Sequence, residues 1–179
     1  MARLNEIYQG LEFNNDGELD LATGTIAPIK FYELMQREID YSKRAKAPLT
    51  LISTGVAISE SSIYWVEKSD ISIEESELLI SILLDFIINT SFKITGTLRS
   101  SDSMARLGVL TFAILIRDDL KSGEILSSRI NTVMEYEFNV LTSELQKSTL
   151  KGINLEIITC TSSYKDNWTL SEFLNSASL

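Results

Sequence analysis

The chain contains no histidine and a single cysteine, and each scarcity removes a body of chemistry. Without histidine there is no Ser-His-Asp triad, no Cys-His pair and no imidazole metal ligand. Any catalysis would have to come from carboxylates, Lys, Tyr or a metal held by oxygen ligands. With Cys160 alone no intramolecular disulfide can form, and its apolar surroundings, Ile-Ile-Thr-Cys, suit a buried inert thiol. Positive charge is short too: Lys plus Arg number 16 against 25 Asp plus Glu, giving a net charge of −9. Phosphate backbones are gripped by clustered basic side chains, so nucleic acid and anionic membranes are excluded as main partners. The nearest approach to a basic cluster, Lys43, Arg44 and Lys46, reads as the charge pattern of a helix C-terminus. No apolar run reaches the ~18 residues of a membrane span, and the start Met-Ala-Arg-Leu-Asn-Glu has no apolar signal region. Leu78–Ile88 is the longest greasy segment and is interrupted by Asp85. A cytoplasmic protein is expected.

What is present is ordinary for a globular domain: 179 residues, 44% of them apolar and 23% charged. A chain of this length can bury roughly two-thirds of its unfolded surface in one domain. Residues 1–19 read as a short polar lead-in, followed by one domain over 20–179. Phe31, Leu34, Met35 and Ile39 recur at helical spacing after Pro28, predicting a helix over 28–44. Leu49–Val56 reads as a buried strand. Residues 58–73 hold Ile63-Tyr64-Trp65-Val66 between polar flanks and read as an inserted loop or hairpin. Glu74-Glu75 opens a helix to about Phe92.

Residues 103–117 predict a hairpin turning at Gly108, with a salt-bridged Arg99/Asp102 pair just before it. Its second strand is apolar on both faces, as an interior strand should be. A helix from Asp118-Asp119 to about Phe138, a strand over 153–159 and a short helix over 169–177 complete the series. The acids at 74–75 and 118–119 stand at helix starts, where capping explains them better than metal binding. The implied fold class is α+β: a ferredoxin-like β-α-β-β-α-β core with a mainly antiparallel sheet and helices packed on one face.

Several short motifs then agree in order and spacing. Asp20-Leu-Ala-Thr-Gly24 followed by Phe31, then Arg99-x-x-Asp102, Ala105-Arg106 and Gly108-x-x-x-Phe112, resemble the GGDEF domains of diguanylate cyclases. The resemblance spans roughly residues 20–178 and implies the fold of the nucleotidyl-cyclase type. Family enzymes join two GTP molecules into cyclic di-GMP and use carboxylates to hold metal ions against the triphosphate. By ungapped spacing those acids would fall at Gly55 and Ala57, and at Leu110 and Thr111; the second turn glycine would be Val109. The resemblance therefore implies a degenerate turn, Gly108-Val109-Leu110-Thr111-Phe112, with no metal, no cofactor and no cyclase activity. The guanine-reading segment is replaced by the 58–73 insertion.

In the family an R-x-x-D five residues before the turn binds cyclic di-GMP, and here Arg99 and Asp102 keep that spacing. The alternative is that the pair only fixes the strand entry; the same R-x-x-D pattern recurs at Arg37-x-x-Asp40, where it reads as an i,i+3 pair on a helix. Three functions follow. The first is an inactive regulatory module that contacts a protein partner or another GGDEF domain, homodimers included, with Tyr64 and Trp65 either an anchor or packed back onto the domain. The second is a cyclic di-GMP sensor at Arg99 and Asp102. The third is a residual nucleotide-processing enzyme.

Overall fold

A computed structural model describes residues 11, 14–59, 62 and 72–178. The helix expected at residue 28 forms as α1 (Pro28–Ala45), with Pro28 in its first turn, where the missing N–H costs nothing. Its buried residues Phe31, Met35 and Ile39 form one stripe. β1 (Thr50–Ile58) alternates: Leu51 faces α1, whereas Ile52 and Val56 face the opposite side. α2 (Ile73–Thr95) begins with a capping box, Ser72 accepting from the Glu75 N–H while the Glu75 side chain accepts from Ser72. β2 (Ser103–Gly108) and β3 (Thr111–Ile116) follow, then α3 (Leu120–Lys147), β4 (Leu155–Ser163) and α4 (Leu170–Ser176).

The four strands lie in the order β2-β3-β1-β4, and every neighbouring pair is antiparallel. β3 is interior and buried from Phe112 to Ile116, as its two-sided apolarity requires. The sheet is covered on both faces. α2 and α3 pack over Ile52, Met104, Phe112 and Ile114, as the β-α-β-β-α-β core implies. The other face is closed by α1 and α4 around Leu51, Ala105, Ala113 and Phe173. One-sided coverage therefore holds for the core alone, because the outer helices bury stripes of their own.

Several boundaries differ from the sequence pattern for physical reasons. α3 runs nine residues past Phe138, since Met134, Glu137, Leu141 and Leu145 continue its buried stripe. A glutamate in that stripe hides the periodicity; it is tolerated because Lys93 of α2 pairs with Glu137. β4 extends through Cys160-Thr-Ser-Ser, whose polarity reads as a loop. Its hydroxyls are matched across the ladder, Thr50 to Ser163 and Thr54 to Thr159, each at 2.9 Å. The hairpin turns at Val109-Leu110 rather than on Gly108, after a bulge between Arg106 and Gly108. Cys160 is half-buried, because β4 is an edge strand, and its Sγ faces the Ser176 carbonyl at 3.8 Å.

By length and composition alone α2 could cross a bilayer, with a mean hydropathy of 1.6 over its best 18-residue window. Here Leu79, Leu83, Phe86, Ile87 and Ile94 seat it on the sheet. Residues before α1 also join the fold. Leu11 is 1% exposed within the core, and Ile26 forms a parallel bridge to Ala105 on the edge of β2. Nothing in the polar composition of residues 1–19 signals that attachment.

Candidate functional site

The loop between α2 and β2 carries Arg99 and Asp102, and the structure separates the roles given to them. The Asp102 carboxylate accepts the backbone N–H of Arg99 at 2.9 Å, closing a turn that also holds Asp102 N–H on the Arg99 carbonyl. The Arg99 guanidinium turns away to Asp118, at 3.4 Å, on the loop between β3 and α3. The expected side-chain ion pair between Arg99 and Asp102 is therefore not formed. A main-chain donor satisfies the carboxylate with less side-chain entropy to lose.

Asp118 is fixed by the N–H of Asp119, which it accepts at 2.9 Å. That bond, with Ser122 and Arg99 behind it, holds the Asp118 carboxyl below the usual carboxylate range. Asp119 itself caps α3, taking the Ser122 N–H at 2.8 Å. Arg99, Asp102, Asp118 and Ser122 line a cleft of about 110 Å³, which also receives Arg117 and Arg129. Arg129, from α3, donates to the Thr97 carbonyl at 3.1 Å. Arg117, at the end of β3, grips Glu38 of α1 with two bonds of 2.5 and 2.6 Å, and Glu38 raises its pKa. The cleft thus holds three guanidinium groups against two carboxylates, on a chain whose overall charge is −9. Chemically its planar guanidinium forks can receive a phosphate or a carboxylate.

The second region is the β2–β3 turn over the end of β1. Arg106 and Asp20 lie beneath it, both fully buried, with Nη1 and Oδ2 3.6 Å apart. Arg106 donates through Nε and Nη2 to the Val109 carbonyl at 3.1 and 2.9 Å, and through Nη2 to that of Leu11 at 2.5 Å. Asp20 accepts the N–H and hydroxyl of Thr23 at 2.9 and 2.7 Å. Burial pushes the Arg106 pKa down, and the Asp20 charge offsets only part of that. One guanidinium therefore ties the turn to the segment before α1.

Gly55 and Ala57 lie on β1 opposite Ile158 and Glu156 of β4, and Gly55 also faces Thr111. A Cβ at position 55 would stand 2.5 Å from Thr111 Cγ2, 2.6 Å from the Leu110 carbonyl oxygen and 2.9 Å from Thr111 Cα. Glycine is required there by close approach of backbone. At position 108 an added Cβ would run into the Thr111 hydroxyl. Leu110 is 5% exposed and belongs to the core beneath the turn, with Val109 packed against it; Phe112 is buried in the same core. Among the described residues no cluster of three or more His, Cys, Asp or Glu is placed to hold a metal ion. Tyr64 and Trp65 lie outside the described residues.

Sequence reasoning brought out Arg99, Asp102, Asp20 and Arg106 but missed the groups that join Arg99 in the cleft. Asp118 was read as a helix start, and Arg117 and Arg129 carried no local signal. They reach the cleft only because β3 and α3 fold back beside the 96–102 loop. The Asp20–Arg106 pairing joins two motif residues that are far apart in the chain.

No family model matches the chain by sequence, and no curated protein does. Solved structures do. The fold is similar to the GGDEF domain of DgcB from Caulobacter crescentus, determined in complex with c-di-GMP. That match has a TM-score of 0.57 and 10% identity, over 93% of this chain and 88% of that one. It is also similar to the diguanylate cyclase SiaD of Pseudomonas aeruginosa, determined with its activator SiaC. There the TM-score is 0.58 and the identity 14%, over 99% of this chain and 59% of SiaD. The GGDEF domain of YfiN (TpbB) from the same organism gives 0.51 and 20%, over 86% and 85%. The chain therefore has the GGDEF fold: a four-stranded antiparallel sheet flanked by helices.

Proposed function

We propose that residues 20–179 form a non-catalytic GGDEF-like regulatory domain, with an insertion near 58–73 and residues 1–19 leading in, that acts in the cytoplasm through contact with a protein partner. The observation that carries this reading is the closed edge at position 55. The resemblance puts metal-holding carboxylates at 55, 57, 110 and 111, where the chain has Gly, Ala, Leu and Thr. At 55 the Leu110 carbonyl and Thr111 occupy the space a side chain would need, and Leu110 fills the core below. Unneutralised triphosphate charge would have no divalent ion to meet it. SiaD, seen with an activator protein, illustrates the kind of partnership proposed. Incubation with GTP and Mg²⁺ or Mn²⁺, followed by chromatography, is expected to return GTP unchanged. Formation of cyclic di-GMP or of GDP would overturn the non-catalytic reading. Light scattering after size exclusion then separates a second copy of the chain from a different partner.

A second reading, cyclic di-GMP as the input signal, is favoured by the convergence of Arg99, Arg117 and Arg129 on one cleft. Planar guanidinium forks suit phosphate oxygens and purine edges. Calorimetric titration of the wild type is expected to show binding that Arg99→Ala abolishes. Binding indifferent to Arg99 would rule the cleft out.

A further inference from the structure

We infer that Asp118 is a built-in competitor for the anion in the arginine cleft, occupying the Arg99 guanidinium until a ligand phosphate displaces it. The inference rests on the second reading above, that the cleft receives cyclic di-GMP. Its basis is the unequal hold on the two partners. Asp118 is anchored to the Asp119 N–H at the entrance to α3, and only about a third of its side chain is exposed. Arg99 is 76% exposed and meets Asp118 at 3.4 Å, beyond the normal range of a charge-assisted bond. The carboxylate stays in place while the guanidinium is free to swing.

The other charged groups facing the cleft are differently committed. Arg117 is locked to Glu38 by two short bonds and lies over the Tyr41 ring at 5.6 Å. Arg129 is held by the Thr97 carbonyl. Asp102 is engaged by the Arg99 main chain. Of the three guanidinium groups, Arg99 is the one joined to its partner by a single long contact, so it is the one a ligand can recruit at least cost. Asp118 then acts twice. It pairs with Arg99 in the empty cleft, and its charge repels a phosphate seated beside Arg99.

Asp118→Asn keeps an acceptor for the Asp119 N–H and removes the charge. It is expected to tighten cyclic di-GMP binding about threefold to tenfold in calorimetry, combining a partly exposed ion pair with one short-range repulsion. The gain should shrink as salt rises. Glu144→Gln, an exposed site further along α3, is the control for bulk charge and is expected to change binding less than twofold. Equal or weaker binding by Asp118→Asn, with the wild type binding normally, would overturn the competitor role and leave the receptor reading standing. An equal gain from Glu144→Gln would overturn it as well, since remote charge would then suffice. Absence of binding by both wild type and Asp118→Asn would overturn the inference together with the reading beneath it. Matching circular dichroism and thermal midpoints establish that each variant is folded.

Discussion

Asp20→Asn and Arg106→Met break the same buried contact from opposite sides, and the structure sets different costs for them. Both side chains are fully buried. Removing one partner of such a pair typically costs about 3–5 kcal/mol, because the survivor is left as an uncompensated charge. Asp20→Asn leaves Arg106 with the carbonyls of Leu11 and Val109, so some compensation survives and the loss should fall at the lower end. Arg106→Met leaves a buried carboxylate whose Oδ2 has no hydrogen-bond donor, and it also strips both carbonyls of theirs. It should fall at or beyond the upper end. For a domain of 150–250 residues, where each kcal/mol shifts the midpoint by about 2–4 °C, the two variants bracket a drop of roughly 6–20 °C. The double variant removes both charges and should recover part of the Arg106→Met loss, a non-additivity that a thermodynamic cycle reads directly. Urea and thermal denaturation followed by circular dichroism supply the four corners. An Asp20→Asn loss under about 1 kcal/mol, or strict additivity, would show that the carbonyls alone satisfy Arg106 and refute the coupling.

Gly55→Ala should destabilise by about 1–3 kcal/mol through overpacking against the Leu110 carbonyl, measured as a lower urea midpoint. Gly108→Ala should cost less, because the atom it meets is a Thr111 hydroxyl that can rotate away. Thr169→Ala removes the cap of α4 and should cost about 1 kcal/mol, with near-ultraviolet dichroism of Trp168 reporting the loosened end. Glu172 is held below its ordinary pKa, chiefly by the Thr169 N–H, and Asp118 by that of Asp119. A depressed carboxylate stabilises the fold fully above its unfolded value and loses that contribution as pH falls through the folded one. Stability is therefore expected to decline below about pH 4. Glu172→Gln should flatten that decline in urea titrations.

The series of helices and strands was legible because apolar spacing and capping residues act locally. Phe31, Met35 and Ile39 mark α1, and Ser72 with Glu75 marks the start of α2, without reference to the rest of the chain. Where a polar residue is buried by pairing across elements, local pattern fails: Glu137 concealed the second half of α3, and the Thr and Ser hydroxyls concealed the end of β4. The site divides in the same way. Arg99 and Asp102 stand three residues apart and were found. Asp118, Arg117 and Arg129 reach them through the β3–α3 connection, which no spacing rule records. Gly55 was visible, but not that Leu110 and Thr111 close over it, since that depends on the register of β1 with β3.

That closure makes position 55 hard to change one residue at a time. An aspartate at position 55 would have to push a main-chain carbonyl aside, so that change alone would weaken the fold. A carboxylate in place of Leu110 would open a hole in the core before position 55 had anything to share with it. Each substitution is harmful alone and useful only with the other. Selection acting one residue at a time would therefore preserve the turn as it stands.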